Sequence, residues 1–218
     1  MKYVIVAYTI ILLIALTGCH KKKQEDKLPI FGYREVVAKE VDSKKVADTV
    51  YHTIADFSFV DQDSAIVTNE TFTGKIYVAD FFFTSCRTIC PKMKTQLLRV
   101  YDSIQALPDV AILSHTIDPE HDTVALLHDF ADRLGVTSDK WHFVTGDQDK
   151  IYDIAQTSYF ATAMEDKTEP DGFIHSGAFL LIDKERRIRG KYDGTVEEDV
   201  NRLLKDIQKL RKEYKPSH

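Results

Sequence analysis

The chain lacks the motifs that announce many functions. Its 218 residues hold no zinc-finger array, no phosphate-binding loop, no GxGxxG fingerprint and no internal repeat. Its 29 lysines and arginines are outnumbered by 34 aspartates and glutamates, and a formal charge of −5 excludes the basic footprint of a nucleic-acid-binding domain. Cysteine is scarce, three in all, which excludes a small scaffold held by several disulfides. What remains is ordinary globular material: 44% hydrophobic and 29% charged residues, enough for one domain with a tail.

Long apolar runs are also missing, with one exception. After Lys2 comes "YVIVAYTIILLIAL", too short to span a hydrocarbon core comfortably and suited to the core of a signal peptide. It ends in "LTGC", which resembles the bacterial lipobox; that resemblance implies a signal peptide over 1–18 and lipid on Cys19. A short uncleaved anchor with an incidental cysteine is the alternative. Residues 19–50, in which Cys19 is followed by the mixed-charge "HKKKQEDK", read as tether and loosely structured lead-in, and 51–218 as the folded domain. Either way the domain is expected in the cell envelope, in the periplasm or otherwise outside the cytoplasm, on a membrane tether. There a close cysteine pair can be oxidised, so its redox state is a variable.

Residues 57–83 alternate short apolar runs with Asp, Asn and Gly, the pattern of a hairpin running into a buried strand at 76–83. Pro91 opens a helix whose apolar stripe is Met93, Leu97, Val100 and Ile104. "DVAILSHTID" is the next strand. Val124, Leu127, Phe130, Ala131 and Leu134 mark a second helix stopped by Gly135. "WHFVTG" reads as a strand and a short helix follows from Asp147. "GAFLLIDKERRIRGKYDG" is an antiparallel pair. Thr195 and Glu198 form a capping-box pattern before a last helix with Val200, Leu203, Ile207 and Leu210 on its core face. This βαβ then ββα order predicts an α/β, thioredoxin-like sandwich with an N-terminal β-hairpin extension.

Two of the cysteines, Cys86 and Cys90, stand in "FFFTSCRTICPKM" where the buried strand hands over to the first helix. A structural disulfide closing so small a loop contributes only roughly 2 kcal/mol, little help to a domain this apolar. Two chemical uses are stronger. Cys90 falls at or beside the helix N-cap, where free N–H groups and the helix dipole favour thiolate. Cys86, one turn upstream, is close enough for a disulfide or a shared metal ion. Thiol–disulfide exchange usually uses a two-residue spacer rather than three. Two thiolates suit a soft metal ion such as Cu(I) or Zn(II), and a third ligand from elsewhere in the chain would complete the site. Among eight histidines, His20 and His218 lie in the tails, His52 in the lead-in, His121 and His128 on a charged helix face, and His115 and His142 within strands. His175, in the Gly-flanked "DGFIHSGAFLL" just before a strand, is the candidate, because in a thioredoxin-like fold that loop faces the active-site helix start. Tyr159, Phe160 and Asp171 are candidates for the rim of the site.

Three segments in unbroken order over about residues 50–215, "FFFTSCRTICPKM", "SHTIDPEHDT" and "HSGAFLLID", resemble the Sco/SenC family of membrane-tethered copper proteins. The resemblance implies that Cys86, Cys90 and His175 bind one copper ion per chain, Cu(I) or Cu(II). It implies a chaperone that helps assemble the dinuclear copper centre of cytochrome c oxidase, with the oxidase's copper-bearing subunit or another copper protein as partner. Cys86 and Cys90 would double as a redox-active dithiol, and a thiol–disulfide oxidoreductase that reduces the oxidase subunit's copper-site cysteines is the alternative function. Asp118 matches the family's acidic position, either supporting the site or contacting a partner, or else capping the helix entry just before Pro119. "HSGAF" lacks the proline that thioredoxins carry there, which speaks against ordinary disulfide exchange. A peroxidase is disfavoured because no proline precedes "TSC", and structural zinc because only three ligands converge.

Overall fold

The computed structural model describes residues 27–41, 44–169 and 171–215. The signal-peptide-like run, Cys19, His20 and His218 lie outside them. Among the described residues no helix is long and apolar enough to cross a membrane.

The expected loose lead-in instead contains a hairpin, β1 (Arg34–Val41) paired antiparallel with β2 (Lys44–Tyr51). Its sequence hid it, because valines point to both faces and stay exposed, Val36 at 72% and Val50 at 52%, so no alternation of apolar and polar residues marks it. The hairpin read further on is present as β3 (Ser58–Asp61) and β4 (Ile66–Thr68), followed by a 3₁₀ turn over Asn69–Phe72.

The core is built around β5 (Ile76–Phe82), all seven residues buried. Helix α1 (Cys90–Ile104) follows, burying Met93, Leu97, Val100 and Ile104 as their spacing predicts. Strand β6 (Val110–Thr116), also buried throughout, lies parallel to β5. Helix α2 (Val124–Leu134) starts with the Thr123 hydroxyl accepting from Leu126 N and stops at Gly135, whose φ of 67° suits a residue without Cβ. Strand β7 (Trp141–Thr145) is parallel to β6. Helix α3 (Gln148–Asp153), capped by Asp147, runs on into a π-helical turn over Ile154–Ser158.

A two-stranded ribbon comes next, β8 (Ala163–Glu165) with β9 (Phe173–His175), separate from the central sheet. Strands β10 (Ala178–Ile182) and β11 (Ile188–Asp193) then form the expected antiparallel pair. Helix α4 (Glu197–Glu213) closes the chain, burying Val200, Leu203, Ile207 and Leu210, each worth about 1.5–3 kcal/mol of transfer free energy. Its expected capping box does not form. The Thr195 hydroxyl donates to Asp193, and the N-cap is Val196 with no side-chain cap. Asp193 also accepts from the Thr195 N–H, the group that a capping-box glutamate would bond.

The seven-stranded sheet has the order β11-β10-β5-β6-β7-β3-β4, parallel across β5, β6 and β7 and antiparallel elsewhere. This is a thioredoxin-like sheet with an added hairpin at one edge. It places the handover from β5 to α1 beside the ribbon that leads into β10.

Candidate metal centre

Strand β5 delivers the first thiol. After Phe83, the Thr84 N–H and hydroxyl donate to the carboxylate of Asp122, which also accepts from the Thr116 hydroxyl at 2.5 Å. Asp122 is wholly buried, so these donors compensate its lost hydration. The chain then turns, with Cys86 N donating to Phe83 O at 3.3 Å. Cys90 is the first residue of α1, and the N-cap Ile89 supplies no side-chain acceptor, so the helix start is electropositive toward the sulfurs.

The β9 ribbon brings the third donor. His175 Nε2 lies 3.1 Å from Cys90 Sγ and 4.0 Å from Cys86 Sγ. The two sulfurs and the ring nitrogen all fall within 4.8 Å of one another, and among the described residues these three form the one group able to hold a metal ion. Both thiols are free and buried. Phe83 floors the site, with its ring edge-on to His175 at 5.6 Å. Among the described residues His175 Nδ1 has no hydrogen-bond partner.

Electrostatics make the thiols unequal. Cys86 is held well below the usual thiol range, first by the hydrogen bond from Cys90 and then, against burial, by His175 and Thr88. Cys90 is pushed far up by sharing its proton with Cys86 and by burial. The helix position had pointed to Cys90 as the acidic thiol. The fold transfers that character to Cys86, because two adjacent thiolates cannot both ionise cheaply without a cation between them and Cys90 keeps the shared proton. Two thiolates and an imidazole form a soft-to-borderline donor set. It suits Cu(I), Zn(II) or, through the imidazole, Cu(II), with an open position for a further ligand.

The remaining candidates sort by contact. Asp118 lies outside the three-donor group; its backbone oxygen accepts from His121 N and Asp122 N, closing the turn that presents Asp122. Its carboxyl is raised by partial burial. Tyr159 is no rim residue, being fully buried with its hydroxyl 3.1 Å from that of Tyr77. Phe160 is packed on His52, with ring centroids 4.6 Å apart. Asp171 does reach the cysteine loop, accepting from Arg87 N at 3.0 Å. His115 is sealed between Phe81 and Tyr159, and His142 pairs with Asp61 at 3.0 Å. His52 bonds Ser158 O, His128 pairs with Asp63, and His121 precedes α2 instead of sharing it.

Two acidic residues near the site escaped the sequence reading. Asp122 sits in the "DPEHDT" segment, where Asp118 drew attention first. Asp80 lies within the buried strand β5, bonded to the Ser114 hydroxyl, which in turn accepts from Trp141 Nε1 at 2.8 Å. Burial pushes its carboxyl up to about 7, against the Ser114 bond and the charge of His175. The signal was present: an aspartate inside "IYVADFF" is anomalous in an otherwise apolar strand.

Residues 45–212 match the model of the SCO1/SenC family. The SCO1 protein homolog of Bacillus subtilis is 30% identical over 167 residues, covering 76% of this chain and 86% of that protein. A solved structure of BsSco, described as having a disulfide switch and as a member of the Sco family of cytochrome c oxidase assembly proteins, superimposes with a TM-score of 0.65. It is 30% identical and covers 73% of this chain and 93% of that one. The Arabidopsis thaliana ScoI structure with copper bound gives a TM-score of 0.60 at 27% identity, covering 72% and 98%. The matched span carries the whole β5–α1 handover and the His175 ribbon, and the chain belongs to the SCO1/SenC family.

Proposed function

We propose that this protein is a membrane-tethered copper chaperone of the cell envelope that binds one Cu(I) or Cu(II) through Cys86, Cys90 and His175 and delivers it to the copper-bearing subunit of cytochrome c oxidase. One observation carries the reading: an imidazole from a ribbon outside the central sheet meets both thiols of the β5–α1 handover. Two thiolates satisfy Cu(I), which accepts low coordination numbers. The added nitrogen makes the same site acceptable to Cu(II). Binding displaces the proton shared by the thiols, so loading is linked to pH and to the reduced state of the pair. Copper bound in the Arabidopsis relative and the oxidase-assembly description of BsSco support this assignment.

The tether rests on "LTGC" and lipid at Cys19. Mass spectrometry of the mature protein should find acyl chains on Cys19 as the first residue, and Cys19→Ala should release the domain from membranes. The function is tested by mixing the copper-loaded protein with the apo copper domain of the oxidase subunit. Copper should move to the acceptor, and Cys90→Ser should abolish the transfer. Acceptor cysteines that become reduced with no copper moved would favour the oxidoreductase, a role open to a pair with one acidic and one protonated thiol.

A further inference from the structure

The ribbon that carries His175 is not a strand of the central sheet, so nothing in the sheet's ladder fixes where the imidazole sits. Its ring is not held from behind either. Metal-binding histidines usually donate their second nitrogen to a carboxylate or carbonyl, which sets ring orientation, whereas Nδ1 of His175 has no hydrogen-bond partner among the described residues. Among the described residues, an aromatic contact and a hydrogen bond join the ribbon to the cysteine loop besides the donors themselves. One is apolar, Phe83 against Phe173 at 5.1 Å. The other is polar and, among the described residues, the single such link: the Asp171 carboxylate accepts from Arg87 N at 3.0 Å. Arg87 directly follows Cys86, and Asp171 stands four residues before His175. The bond therefore joins the two arms of the site close to both sets of donors.

We propose that Asp171 is a positioning residue that holds His175 in register with the thiols and thereby sets the site's preference for Cu(II) over Cu(I). The proposal rests on the copper reading above. Both thiols belong to the β5–α1 handover, so Cu(I) held by two sulfurs does not depend on where the ribbon lies. Cu(II) does, because it needs the imidazole nitrogen. Loosening the ribbon removes a ligand from one oxidation state and leaves the other its sulfurs. A group four residues from the ligand acts on metal choice without touching the metal.

The test compares Asp171→Ala, Asp171→Asn, His175→Ala and the Asp171→Ala/His175→Ala double variant. Cu(I) and Cu(II) affinities are measured by competition with chelators, and the thiolate-to-Cu(II) absorption band is recorded. Amide hydrogen exchange at Arg87 is followed in the metal-free protein. Asp171→Ala should lose about tenfold in Cu(II) affinity, the low end for residues that support a ligand, with Cu(I) affinity unchanged. A tenfold loss confined to Cu(II) raises the one-electron potential of bound copper by about 59 mV. Asp171→Asn keeps an acceptor oxygen and should behave as wild type, which separates the hydrogen bond from the charge. In the double variant, removing Asp171 should add nothing to the His175→Ala loss.

Equal losses of both ions, an additive double variant, or an asparagine variant as weak as alanine would overturn the proposal. A wild-type protein that binds neither ion would remove the copper reading and the metal preference with it. Exchange at Arg87 then judges the latch separately: protection lost in Asp171→Ala and kept in Asp171→Asn supports it, and no change refutes it.

Discussion

His175 Nε2 lies 3.1 Å from Cys90 Sγ although 85 residues separate the two. That contact brings a thiol at a helix start together with an imidazole on a two-stranded ribbon, and neither element alone makes a metal site. The β5–α1 handover supplies two thiols sharing one proton, chemistry fit for exchange. The ribbon adds the nitrogen that turns a dithiol into a three-donor centre.

The inequality of the thiols predicts their reactivity. In the reduced, metal-free protein, iodoacetamide should modify Cys86 first, and well below the pH of about 8.5 at which an ordinary thiol is half ionised. Cys90 should resist until Cys86 is blocked or the protein unfolds. Peptide mapping across a pH series reads this directly. Modification of Cys90 ahead of Cys86 would restore the simpler expectation from helix position.

Asp80 predicts a pH dependence of stability. Its carboxyl sits at about 7 in the folded protein against 3.8 unfolded, so the folded state holds the proton throughout that window. The contribution is greatest below the unfolded value and declines as pH rises toward 7. At about 1.4 kcal/mol per unit, the decline totals roughly 4 kcal/mol. Asp80→Asn cannot ionise and should lose this slope, which urea midpoints between pH 4 and 8 will show. Parallel wild-type and variant curves would contradict the assignment.

Asp122 predicts a structural dependence. Replacing it by alanine removes the acceptor of the half-buried Thr84 N–H and hydroxyl and of the buried Thr116 hydroxyl. The expected cost is about 3 kcal/mol, with Asp122→Asn cheaper because an acceptor remains. Chemical denaturation measures it. A change below about 0.5 kcal/mol, the level of an ordinary surface substitution, would mean that the turn before Cys86 stands without this carboxylate.

Much of the frame was readable from apolar spacing. Met93, Leu97, Val100 and Ile104, and later Val200, Leu203, Ile207 and Leu210, face the core as their periods require. Burial is a local property of a helix stripe, so sequence shows it. What sequence concealed depends on long-range neighbours. Among its described side chains the β1–β2 hairpin leaves Val36, Val37, Val46 and Val50 exposed, so no alternation was there to find. The capping box is absent because Asp193 accepts from the Thr195 N–H and the N-cap falls at Val196. Cys86 became the acidic thiol through Cys90 and His175, which no spacing rule weighs against the helix dipole. Asp122 was overshadowed by Asp118, since only the folded turn reveals which carboxylate points inward.

The most direct test is an anaerobic copper titration of the reduced protein beside Cys90→Ser and His175→Ala. Cu(I) is scored against a competing chelator, and Cu(II) by its thiolate charge-transfer band and electron paramagnetic resonance. A three-donor centre predicts one ion per chain, lost in Cys90→Ser, with His175→Ala weakening Cu(II) far more than Cu(I). Two free thiols that fail to compete for Cu(I), or a His175→Ala variant that binds Cu(II) like the wild type, would contradict it.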